Sequence, residues 1–283
     1  MLPQGNSERV AGTSAQQTDK PGDTTLPSWT SPDITGALPL PQPAPSIAPA
    51  PEQGAAIVED KLPATIGDPA LRKAALAGDP AAEYEVANRF AEGRGVLQNN
   101  EAAVYWLQRA AKQGLAPAQF RLGGLYEKGL GVKKDLATAR DLYLAAAEKG
   151  NGKAMHNLAV LYAEGVDGAP DYNRAAEWFR RAANHGIRDS QYNLGILYAR
   201  GIGIERNDAE SYKWFAIAAS QGDGEAAKKR DEIAAQLDPQ SLAAARLAVK
   251  NWSPEPQPED AISVKPSADW SPAAKNPRAA KSQ

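Results

Sequence analysis

The chain has no cysteine in its 283 residues. That excludes a disulfide framework, a thiolate zinc site and a cysteine nucleophile. It leaves the compartment open, because a cysteine-free chain suits oxidising and reducing surroundings alike. Histidine is nearly as scarce: His156 and His185 are the two, and neither has a metal-spaced or catalytic companion. Charge of one sign is also lacking. Thirty-two basic residues face 34 acidic ones, well mixed along the chain, and no basic stripe of the kind that marks nucleic-acid binding stands out. No run approaches the roughly 18 consecutive apolar residues of a membrane span. The first residues, MLPQGNSERVAGTSAQ, lack the charged start and apolar centre of a signal peptide. The chain is therefore expected to stay in the cytoplasm, or to be the downstream part of something longer.

Proline is present, but its distribution is uneven. Eleven of the 22 prolines fall in residues 1–65 and six after Trp252, leaving five across the 187 residues between. Residues 1–65, with the run LPLPQPAPSIAPAPEQG, are poor in bulky apolar side chains. Such a stretch cannot offset a backbone entropy cost of about 1–2 kcal/mol per fixed residue. The sequence thus predicts a disordered Pro/Ala-rich linker over 1–65, an ordered region over 66–252, and a disordered Pro-rich tail over 253–283. On that reading Trp270→Ala changes stability by less than about 0.5 kcal/mol.

The middle repeats. Gly78, Gly114, Gly150, Gly186 and Gly222 are spaced 36 residues apart, each preceded by an Ala-Ala pair. A second series, Gly93, Gly129, Gly165 and Gly201, keeps the same period, with Phe90, Tyr126, Tyr162 and Tyr198 three residues ahead. Tryptophan recurs at Trp106, Trp178 and Trp214, with Leu142 in the remaining copy. Each unit reads as two helices. In APAQFRLGGLYEKG, Ala118, Leu122 and Tyr126 share one helical face, and Gly123 beside it admits a close partner. Gly129 stops that helix by adopting positive φ, and Asp135 caps the next. The following LATARDLYLAAAEKG turns Ala139, Leu142, Tyr143, Ala146 and Ala147 inward. The half-copy at 69–78 and the helix at 237–252 are expected to cap the two ends of a solenoid. In copy three, GVDGAPDYN replaces the glycine-x-glycine-Val loop and predicts a different turn.

These residues resemble the SEL-one-like repeat, a relative of the tetratricopeptide repeat. Leu122, Gly123, Tyr126, Gly129, Gly131, Val132, Asp135, Ala139, Ala146, Ala147 and Gly150 carry the likeness. It spans about residues 66–222 and implies an all-α, right-handed α-solenoid of about four repeats with capping helices. A narrower resemblance joins LPATIGDPALRKAALAGDPAAEYEVANRFAEGRGV and LDPQSLAAARLAVKNW. Both are similar to the repeat region of PodJ-type polar localisation factors of alphaproteobacteria. That likeness implies the exported, periplasmic part of a membrane-anchored cell-polarity factor.

Little in the sequence supports an enzyme or a cofactor, and none is expected. Glu83 and Glu85 read as part of a solvated face. His156 takes the slot of Tyr84, Phe120 and Tyr192, and His185 favours the negative end of a helix. The glycine-x-glycine pairs follow helices rather than strands, so they are helix stops and not nucleotide loops. The first helices of the units line the concave face of such a solenoid. The rows there are Tyr84, Phe120, His156, Tyr192; then Asn88, Gly124, Val160, Ile196; then Glu92, Lys128, Glu164, Arg200. The candidate partner-binding residues are Tyr84, Asn88, Phe120, Lys128, His156, Tyr192 and Arg200, as an apolar-to-aromatic groove with a charged rim. The partners expected are protein or peptide segments, cell-envelope or peptidoglycan-associated proteins among them, with no nucleic acid and no membrane insertion. The function expected is a non-catalytic protein–protein interaction scaffold; the alternative is a soluble regulatory adaptor that modulates a signalling protein.

Overall fold

The structure is a computed structural model that describes residues 62–266 and Trp270. The expected disorder of residues 1–61, and of the last residues other than Trp270, lies outside the described part. A 3-10 turn, Ala64–Ile66, leads into α1 (Pro69–Leu76). Four hairpins of 13-residue helices follow. They are α2 (Pro80–Glu92) with α3 (Asn100–Lys112), α4 (Ala116–Lys128) with α5 (Leu136–Glu148), α6 (Gly152–Glu164) with α7 (Tyr172–Asn184), and α8 (Arg188–Arg200) with α9 (Asp208–Ser220). Then come α10 (Gly224–Ala234), α11 (Pro239–Asn251) and the single turn α12 (Glu259–Ile262). Among the described residues every regular element is helical, as an α-solenoid requires.

The boundaries follow from local chemistry. Gly129 ends α4 at φ 69°, and Asp135 Oδ1 accepts a hydrogen bond from the Thr138 amide at 3.0 Å to start α5. Copy three does depart: its loop turns at Gly165 and Gly168, both at positive φ, before Pro170. Close approach of helices explains the small residues on α4 and α8. A Cβ on Gly123 would stand 2.8 Å from the Tyr143 ring, and one on Gly195 2.9 Å from Phe215. The two helices of each hairpin pack on each other, the second helix packs on the first helix of the next pair, and burial runs the length of the stack. Tyr143, Phe179, Phe215, Trp106 and Trp214 are fully buried within it.

Three expectations need correction. First, α10 continues the repeat pattern past residue 222; α11 then lies back on α9 as the expected cap. Second, Glu83 is buried, held by Arg109 Nε at 2.7 Å and Gln113 Nε2 at 2.9 Å. Burial pushes its carboxyl upward against the pull of that guanidinium. Third, residues 253–266 and Trp270 do not form a disordered tail. They cross the outside of the repeats and are fixed there by proline rings, backbone groups and a buried indole.

Candidate functional site

The expected groove is partly structural. Phe120, His156 and Tyr192 each meet an aromatic on the partner helix, at ring-centre distances of 5.9, 5.6 and 5.6 Å to Tyr143, Phe179 and Phe215. Tyr84, Phe120 and Tyr192 remain half-buried, whereas Lys128 and Arg200 are exposed. His156 and Asn88 leave the list of partner contacts. Both are buried, at 2% and 7% exposure. His156 Nδ1 stands 2.7 Å from Ser190 Oγ in a hydrogen bond. Ser190 occupies the position that Ala82, Ala118 and Ala154 hold in the other copies, so the two substitutions form one buried polar pair. Burial lowers the imidazole pKa to about 4, with Asp189 opposing weakly, so the ring is neutral near pH 7.

A second surface was not anticipated. It is the row of turns between hairpins, where Gly78, Gly114, Gly150, Gly186 and Gly222 all take positive φ. In two of them the residue ahead of the glycine ties back to the preceding turn. Gln113 Nε2 donates to the Gly78 carbonyl at 3.0 Å, and Lys149 Nζ donates to the Gly114 carbonyl. His185, in the equivalent place, instead donates from Nδ1 to the Glu255 carbonyl at 3.1 Å.

The C-terminal segment runs along these turns from the far end of the solenoid back towards its start. Trp252 packs edge-on against Trp214, 6.1 Å between centres. Pro254 lies over Gly186, where an added Cβ would stand 3.3 Å from its ring. The Glu255 amide donates to the Asn184 carbonyl at 2.8 Å. Gln257 Oε1 accepts from the Gly152 amide at 2.8 Å, satisfying a donor that the first turn of α6 leaves without a partner in the helix. Pro258 closes on Gly150 so tightly that a Cβ there would sit 2.6 Å from its ring. Asn151 serves twice: Oδ1 caps α6 at the Ala154 amide, and Nδ2 donates to the Ala261 carbonyl at 2.6 Å. α12 rests on α4. Trp270 is buried in the first repeats, its Nε1 donating to Asp79 Oδ2 at 3.4 Å.

Pro254 and Pro258 are four residues apart and sit on turns one repeat apart. At about 3.1 Å per residue, four residues of polyproline-type chain cover about 12 Å, close to a helix-packing spacing of about 10 Å. Sequence reasoning missed this seat because the segment that fills it lies outside the repeats and shares none of their period. The available signal was the pair of prolines at the repeat's own stride. Among the described residues, no cluster of three or more His, Asp or Glu could hold a metal ion, and no helix is long and apolar enough to cross a membrane.

Comparison with known proteins accords with this architecture. The Sel1 repeat family model matches residues 80–115, 116–151, 152–187 and 188–223, one hairpin and its following turn each time. A crystal structure of a Sel1 repeat protein from Oxalobacter formigenes is similar at 31% identity and TM-score 0.54, covering 63% of this chain and 75% of that one. A protective antigen present in uropathogenic Escherichia coli strains, described as displaying an SLR fold, aligns at 23% identity and TM-score 0.34, over 64% of this chain and 54% of its own. No curated protein matches.

Proposed function

The chain belongs to the Sel1 repeat family, whose members generally serve as protein–protein interaction scaffolds, and from that premise we propose that it is a non-catalytic scaffold for protein or peptide segments. One observation carries this reading. The repeat surface already holds an extended segment, residues 253–258, through backbone hydrogen bonds, ring-on-glycine contacts and a helix N-terminus. Because the chain's own tail covers the turns at Gly150 and Gly186, the face proposed for an outside partner is the half-buried row of Tyr84, Phe120 and Tyr192, rimmed by Lys128 and Arg200. Flat aromatic faces beside cations are the usual centre and rim of an interface.

The finer proposal is the exported part of a cell-polarity or envelope localisation factor, working in the periplasm. It is supported by the resemblance of residues 62–96 and 237–252 to PodJ-type factors. A regulatory adaptor in the cytoplasm is the competing role. To test the scaffold, the full chain is used to capture proteins from envelope and cytosolic fractions, and each captured protein is purified and its affinity measured. Tyr84→Leu/Phe120→Leu/Tyr192→Leu should weaken binding while the helical signal persists, and Arg180→Ala should leave it unchanged. A folded triple variant that binds normally removes this face from the proposal. Partners drawn only from the cytosol would favour the adaptor.

A further inference from the structure

The tail's seat has a second candidate ligand within the same chain. Residues 254–258 read Pro-Glu-Pro-Gln-Pro, and residues 39–43 of the N-terminal arm read Pro-Leu-Pro-Gln-Pro. They differ only at Glu255 against Leu40, and that residue is seated by its backbone amide and carbonyl. Every group that seats residues 254–258 is therefore present in both: a proline over Gly186, a main-chain donor and acceptor at Asn184 and His185, a glutamine at the Gly152 amide, and a proline over Gly150. The likeness extends further. Ala261, buried beneath the Asn151 amide, corresponds to the small Ser46, and Ile262 to Ile47.

We propose that residues 39–47 of the N-terminal arm bind the same track of inter-repeat turns, in the same chain, when the C-terminal segment leaves it. Polarity favours the same chain. The tail runs from Gly186 to Gly150 and on towards the start of the solenoid. An arm laid in that direction places Pro43 on Gly150 and continues towards Leu62, where the described chain begins. The intervening residues 48–61 form a linker with an r.m.s. reach of about 20 Å, enough for a two-repeat span of about 20 Å at helix-packing spacing. The structure also explains why the tail is the resident. It carries Trp252 on Trp214 and Trp270 beside Asp79, whereas the corresponding arm positions are Ala37 and Ala55. The arm is the weaker ligand of one track with two claimants.

The test uses the full chain and reads hydrogen exchange of the Gly152 amide by NMR. A tail-released variant carries Pro254→Ala, Gln257→Ala, Pro258→Ala and Trp270→Ala; a second variant adds Pro39→Ala, Gln42→Ala and Pro43→Ala. Exchange in the tail-released variant should stay within about threefold of the wild type, and the added arm substitutions should raise it a further tenfold or so, as loss of one hydrogen bond predicts. The protection should not depend on protein concentration. Fast exchange in the tail-released variant, with no further change on altering the arm, overturns the proposal. So does protection that persists without either motif. Protection that grows with concentration overturns the same-chain assignment in favour of a second copy. The Gly195 amide, buried against Phe215, reports that the fold survives in each variant. No outside partner enters this experiment, so its failure leaves the scaffold reading standing.

Discussion

The repeats and the strap that crosses them are built on opposite terms. The body buries large apolar side chains at a fixed period, and most of its helices start on an Asp or Asn cap. The strap, from Trp252 to Trp270, is short of apolar bulk between its two indoles and is held by main-chain groups, one glutamine and prolines pressed on glycine turns. Burial is tolerant and additive along a solenoid, whereas the strap depends on register, because each proline must meet a turn. The comparison teaches that one chain carries both a stable frame and a ligand-like segment resting on it.

The sharpest way to separate the two is to remove their tryptophans. Trp178 lies in the body with Arg181 stacked 4.2 Å over its ring, and Trp178→Ala should cost about 3–5 kcal/mol in chemical unfolding. Next in size is the pH response of the body. His156 has a folded pKa of about 4 against about 6.5 unfolded, so the unfolded state binds the extra proton between those values. Its contribution is intact above pH 6.5 and is lost as pH falls towards 4, up to about 3 kcal/mol. Unfolding midpoints at pH 7 and 4.5 should show the loss, and His156→Phe/Ser190→Ala, which restores the pattern of the other copies, should flatten it.

The strap should give smaller effects. Trp270→Ala should cost about 2 kcal/mol, because it empties a buried site; an effect below about 0.5 kcal/mol would return the segment to the status of a loose tail. Gln257→Ala should cost about 1 kcal/mol through the Gly152 amide. If Trp270→Ala outweighed Trp178→Ala, the distinction between frame and strap would collapse.

How much was legible follows the same divide. Helix order, the stops at Gly129 and Gly201, the cap at Asp135 and the tight crossing at Gly123 all come from short-range chemistry repeated every 36 residues. Repetition lets local signals reinforce one another. Glu83 was misread because its partner Arg109 lies on the neighbouring helix, 26 positions on. His156 reads as a face residue because its partner Ser190 lies 34 positions on, in the next repeat. The strap was hidden for a related reason: its partners lie 38 to 191 residues away, and proline-rich composition by itself argues for an extended chain, not for what that chain rests upon.

The return path of the strap also settles how the domain hangs from its attachments. Leu62 packs beside the first repeats, and Trp270 is buried in the same cluster. Both flexible-sounding arms of the sequence are thus rooted at one pole of the solenoid, and the fourth repeat with α10 stands at the other. Tension applied through the two ends would not stretch the helical stack along its axis. It would first pry out Trp270 and lift the strap turn by turn, so the earliest mechanical event is release of the segment that covers the glycine track.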